Sequence, residues 1–263
     1  MSNRRLSEQF TGIEKMKNRT NQMAVNAVPF SAKDALGRYL PLMHELATRI
    51  DLVAQACNGN LGLPLPFARE YVYLQFRQVC ELIALGSLQL HGDLPQFQTQ
   101  AALREWNAEK IMRLLERHHP HCFPQSAERI KTSNGWAINA NSIENALTFS
   151  EFKKLYAECG EALHRGTIRS IQSSKQLTQT DYQGLITWQS KIVALMNEHL
   201  VGRASEIGFY LVSLRTDSGF PEASIFTKDG DAKMNVEIVR MEIQGTDYEN
   251  HMLVGNMKLA TTK

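Results

Sequence analysis

The segment Phe67–Leu90 constrains this chain more than any other. Tyr71, Val72, Tyr73, Leu74, Phe76, Val79, Cys80, Leu82, Ile83, Leu85 and Leu88 surround the helix it would form. A helix that is apolar nearly all round has no solvated face and must be wrapped by other elements. His91-Gly92-Asp93 ends the run, with Gly92 as the expected cap. The remaining sequence therefore has to supply a shell around one buried rod.

Amphipathic helices are the expected shell. Ser31 and Asp34 mark a helix start, and Leu46, Ile50 and Val53 share one face of the run that follows. Pro41 is expected to kink or divide that segment. Together, residues 31–91 read as a helical hairpin. A third helix is expected over 100–119, with Leu103, Trp106, Ile111, Leu114 and Leu115 as its buried stripe. Pro120 and Pro124 stop it, and 120–147 reads as a long loop with a turn at Asn134-Gly135. Thr148-Phe149-Ser150-Glu151 fits a capping box, and Phe152, Leu155, Tyr156, Cys159 and Leu163 then keep helical spacing. A fifth helix is expected over 180–200. Beyond Gly202 the pattern turns to strands at 207–214, 223–227 and 235–243.

The expected fold is mainly α: an up-and-down bundle of about five helices with a small C-terminal three-stranded antiparallel β-meander. The expected division is a basic flexible tail over 1–28, the bundle over 29–203, the meander packed on it over 204–245, and a C-terminal tail over 246–263. The first tail carries Arg4, Arg5, Lys15, Lys17 and Arg19 against Glu8 and Glu14.

Composition narrows the function classes. The 263 residues are 43% hydrophobic and 21% charged, with a formal net charge of +2, which excludes a collagen-like or strongly charged disordered chain. No apolar run approaches the about 18 residues of a membrane span. The N-terminus lacks an apolar signal core. Near-neutral charge argues against dedicated DNA binding. Cys57, Cys80, Cys122 and Cys159 contain no CxxC pair and read as reduced thiols of a cytoplasmic, bacterial-type protein. There is no phosphate loop, dinucleotide fingerprint, HExxH or GxSxG motif. No cofactor is expected.

Three groups of residues are candidates for chemistry. Glu70, Arg77 and Glu81 fall within an arc of about 40° on the most apolar helix, which suggests a buried charge network. Glu158, His164 and Arg165 lie at the end of the fourth helix, away from its apolar stripe, and Gly160 suggests a close approach there. His118, His119, His121 and Cys122 are metal-ligating types, but their spacing matches no standard zinc motif, so no metal is assigned.

The segments Leu155–Gly166 and Phe76–Gly86 resemble uncharacterised bacterial HEPN-like helical-bundle proteins over about 65–200, half the chain. The resemblance implies a helical dimer, often encoded near defence or toxin–antitoxin functions, and in active members a metal-independent ribonuclease. Such members place an Arg and a His with four to six residues between them. His164 matches that His in setting, whereas Ala157, Glu158 and Cys159 occupy the Arg positions. Arg165 or Arg77 would have to supply the guanidinium. The expected function is therefore a non-catalytic binding or scaffold protein, a homodimer with a protein or RNA partner and no membrane association. The alternative is a ribonuclease with a rearranged His164/Arg165/Arg77 site. A small-molecule sensor with a pocket under the meander is a third reading.

Overall fold

The computed structural model describes residues 30–133, 135–164, 179–203, 208–229, 233–243 and 257–262. Residues 31–263 form one unit. The basic tail assigned to 1–28 lies outside the described residues, as does Arg165.

Six α-helices are described: α1 (Ala32–Cys57), α2 (Leu65–Leu90), α3 (Gln100–Arg104), α4 (Ala108–His118), α5 (Phe149–Leu163) and α6 (Gln179–Met196). Seven strands accompany them: β1 (Gln125–Thr132), β2 (Gly135–Ala140), β3 (Glu198–Gly202), β4 (Gly208–Ser213), β5 (Glu222–Asp229), β6 (Lys233–Ile243) and β7 (Met257–Thr262). The strands form one antiparallel sheet in the order β2-β1-β3-β4-β5-β6-β7.

This overturns the expectation of a mainly helical bundle with a three-stranded meander. The fold is mixed, with a large antiparallel sheet carrying the helices. The physical reason lies in three places. Residues 120–147 contain the β1–β2 hairpin rather than a long loop, and most of its side chains are exposed on both faces, so burial imposes no alternation. The expected fifth helix ends at Met196 rather than 200, and Glu198–Gly202 form a strand instead. Met257–Thr262, inside the segment read as a tail, pairs with β6 as the edge strand.

The helices follow their local signals more closely. Ser31 accepts a hydrogen bond from the Asp34 amide at 3.2 Å and caps α1, which runs as one element through Pro41. The α5 capping box is complete: Glu151 N–H donates to Thr148 Oγ1, and Thr148 N–H donates to Glu151 Oε2 at 3.0 Å. The expected helix over 100–119 is broken. Asn107 starts α4 afresh by accepting from the Lys110 amide, and the break leaves Leu103 and Trp106 64% and 61% exposed instead of buried.

The core has two levels. On the sheet's inner face, His199, Val212, Ala223 and Val239 form one transverse row, all buried. Val201, Tyr210 and Ile225 form the next. Helix α1 lies over β5 and β6, and α6 over β1 and β3. Behind α1 sits α2, which also meets α4 and α5. Each large apolar side chain fully buried this way contributes roughly 1.5–3 kcal/mol.

One contact ties the two levels together. Gly86 of α2 lies against the Tyr39 ring of α1, so closely that an added Cβ would sit 2.6 Å from Tyr39 Cε2. The absence of a side chain at Gly86 lets Tyr39 pass between the helices and reach β3. Tyr39 Oη lies 2.7 Å from His199 Nε2.

Candidate functional site

Two features meet at one end of α4. The first is a set of histidines at helix ends. His91 follows the last residue of α2, and His119 follows the last residue of α4. Both rings point at the carbonyl oxygen of Gly202, the last residue of β3, with His91 Nε2 at 3.1 Å and His119 Nε2 at 3.2 Å. The two rings are 4.8 Å apart. His91 is fully buried, and its Nδ1 lies 2.7 Å from the Ser87 carbonyl oxygen one turn back. Burial lowers the His91 pKa, while the Ser87 carbonyl, Asp93 and the Gly202 carbonyl pull it up and His119 lowers it further.

The second feature is an open cleft of about 470 Å³ beginning one residue beyond His119. Pro120 and His121 form one wall. Gln125 and Ser126 of β1 form another, the loop Asn141–Thr148 a third, and Phe149 and Leu195 close it. The Phe123 ring packs on Phe149 at 5.2 Å and on Phe152 at 5.5 Å, giving the cleft an aromatic floor. Loop 141–148 is held by its backbone: Asn141 N–H donates to the Ser126 carbonyl at 2.7 Å, and Leu147 N–H to that of Lys191 at 2.9 Å. Asn141 and Asn145 take left-handed conformations, at φ 54° and 60°. Asparagine tolerates that region better than most side chains. Asn141 donates a long 3.4 Å bond to Gln125 Oε1. Among the described residues, the Asn145 amide has no hydrogen-bond partner. Of the described lining residues, His121 is the sole titratable one. The wall can therefore offer uncharged donors and acceptors beside aromatic surface.

The residues singled out from sequence are distributed differently. Arg77 and Glu81 do pair, at 3.1 Å, and Tyr156 covers them: the guanidinium lies 5.2 Å from its ring centre, and its hydroxyl donates to Glu81 at 3.4 Å. Glu70 is exposed and outside this group. The network is thus a half-buried pair locking α2 to α5, not a buried triad. His164 caps α5 through its backbone, and its side chain is exposed. Among the described residues, no guanidinium hydrogen-bonds to it. Arg77 is engaged by Glu81 and Tyr156, and among the described residues no hydrogen bond joins it to His164. Glu158 accepts a hydrogen bond from Trp188 Nε1 at 2.9 Å. A Cβ at Gly160 would meet nothing within 4 Å, so no close approach explains that glycine.

The histidine–cysteine tract diverges. His118 turns to Phe97, His119 to Gly202, and Cys122 into the core, where burial pushes its thiol up to about 11. The four cysteines are free thiols. Sequence reasoning missed His91 and the cleft. His91 carries one local signal, a histidine directly after the most apolar helix. The cleft carries little, since its walls come from segments that read as one loop.

Among the described residues, no helix is long and apolar enough to cross a membrane. Compared with family models, curated proteins and solved structures, the chain matches none.

Proposed function

We propose that this chain is a non-catalytic binding protein whose ligand enters the cleft between His121, Gln125, Asn145 and Phe149. The carrying observation is the character of that wall: neutral amide and hydroxyl groups around an aromatic floor, with a volume in the range of small-molecule sites. Such a wall favours an uncharged ligand that pairs a flat apolar part with amide-like donors and acceptors. An unpaired base of RNA has that chemistry, since carboxamides read base edges and aromatic rings stack on base faces. General acid–base chemistry has less support. It needs a base held within reach of a partner group, and His164 lies exposed with no hydrogen bond to Arg77 among the described residues.

The test is calorimetric titration of the purified protein with uncharged nucleosides, beside a single-stranded RNA of mixed sequence. Saturable binding is expected, weakened at least tenfold in Phe149→Ala and several-fold in Asn145→Ala. RNA recovered after incubation should be intact. Cleavage that disappears in His164→Ala would replace this reading with the ribonuclease one.

Self-association has separate support. Phe67 and Leu74, seven residues apart on one face of α2, and Leu63 and Leu65 at its start leave large apolar side chains exposed, with Leu65 and Phe67 at 63% and 58%. A homodimer would cover the patch around Phe67 and Leu74. Sedimentation of the wild type against Phe67→Glu tests it: a dimer that dissociates in the variant supports the reading, and a monomeric wild type contradicts it.

A further inference from the structure

The His91 ring stands between two groups that can only accept. Nδ1 faces the Ser87 carbonyl at 2.7 Å, and Nε2 faces the Gly202 carbonyl at 3.1 Å. A neutral imidazole carries one N–H, so it satisfies one carbonyl and turns a lone pair towards the other. The imidazolium carries two and satisfies both. His119 complicates the choice usefully. Its Nε2 reaches the same Gly202 oxygen at 3.2 Å, and a carbonyl has two lone pairs. With His91 neutral and bonded to Ser87, His119 alone holds Gly202. With His91 charged, both rings hold it.

Other features favour the cation. His91 and His119 both cap helix C-termini, where backbone carbonyls present the negative end of the dipole. Asp93 adds a favourable charge two residues on. Against it stand full burial and the neighbouring His119 ring; His121 lies beyond His119 with its ring 6.1 Å from that of His119, and Arg203, next to Gly202 in sequence, turns its guanidinium to the Tyr210 ring at 5.6 Å. Ser87 also keeps a buried hydroxyl that has no hydrogen-bond partner among the described residues. Burial is the largest of these effects and holds the ring below the ordinary histidine value, so the second proton arrives only in acid.

We propose that His91 and His119 form a proton-operated latch on the Gly202 carbonyl, with His91 gaining a proton from solvent in mild acid and adding a second, charge-assisted hydrogen bond that fixes the end of β3 to the ends of α2 and α4. Pro120 and His121 follow His119 directly and line the cleft, so the latch sets the position of that wall.

The experiment follows the backbone carbonyl ¹³C shifts of Gly202 and Ser87 in the full chain between about pH 7.5 and 5, where histidine titrates. Wild type is compared with His91→Gln and His119→Gln. Glutamine keeps one donor and cannot titrate. In the wild type the Gly202 and Ser87 signals should move with one shared midpoint, equal to that of the His91 ring nitrogens. The Gly202 movement should vanish in His91→Gln and persist in His119→Gln. A Gly202 signal that stays fixed across this range in the wild type overturns the latch, as does an unchanged movement in His91→Gln. Should His91→Gln fail to fold, the wild type and His119→Gln still decide. A Gly202 movement lost in His119→Gln, or one that departs from the His91 midpoint, refutes the assignment.

Discussion

His91 and His199 are both fully buried, and both hold β3 in place, yet their surroundings ask opposite things of the ring. His199 Nδ1 lies 2.9 Å from the Met196 carbonyl and must donate to it. Its Nε2 then accepts from Tyr39, whose hydroxyl can donate at 2.7 Å. The neutral ring is satisfied at both ends. A proton on Nε2 would force the Tyr39 hydroxyl to turn its hydrogen elsewhere in a dry core. His91 faces two carbonyls and is satisfied at both ends as the cation. Burial lowers the pKa of both rings; the donor or acceptor character of their partners is what separates them.

Acidification should give the largest effect. Burial lowers the His199 pKa from 6.5 to about 4. The folded value lies below the unfolded one, so this site's contribution is complete above about pH 6.5 and is lost as pH falls towards 4. Over that window it amounts to about 3 kcal/mol. Urea denaturation at both ends of the window should show this loss in the wild type and a loss smaller by that amount in His199→Gln. An equal loss in the two proteins would remove His199 from the acid response.

Gly86→Ala probes the packing that delivers Tyr39 to His199. A methyl group there would meet the Tyr39 ring at 2.6 Å. Overpacking of this kind costs about 1–3 kcal/mol. The His199 ring signals should shift more than those of His91, whose partners do not include Tyr39. The reverse order would break the distinction between the two joints.

Thr148→Ala supplies a scale outside both joints. Losing the α5 cap should cost about 1 kcal/mol in thermal or urea unfolding. Glu151, held below the usual carboxylate range by the Thr148 amide, should keep that bond while losing the hydroxyl. A cost well above this would mean that Thr148 also holds the loop lining the cleft.

His164→Ala is the smallest expected change. This histidine also caps a helix C-terminus, but its side chain is exposed, and surface substitutions usually stay within about 0.5 kcal/mol. A loss as large as that at His199 would show that exposure at this position is misassigned.

Much of the helical layer was legible before any coordinates. The long apolar helix α2, the Ser31 cap and the Thr148–Glu151 box are written in local patterns. The sheet was underestimated where burial is one-sided or absent: Arg129, Ile130 and Lys131 of β1 are exposed in succession, so no period marks the strand. The Asn134-Gly135 signal was read as a turn without its flanking strands. Trp106 illustrates the opposite failure, a helical period extended across a break that only the Asn107 cap reveals. The histidine joint was beyond reach, since His91, His119 and Gly202 meet through tertiary packing of α2, α4 and β3. The Arg77–Glu81 contact was foreseeable from four-residue spacing. That Glu70 faces water was not, because its helix reads as apolar on every side.

The most direct measurement is the ring-nitrogen titration of His91 and His199 in the same sample by long-range ¹H–¹⁵N correlation. His199 should remain a neutral Nδ1–H tautomer as the pH falls through the range in which His91 becomes doubly protonated. A His199 ring that charges first, or together with His91, would contradict the claim that hydrogen-bond partners separate two equally buried rings.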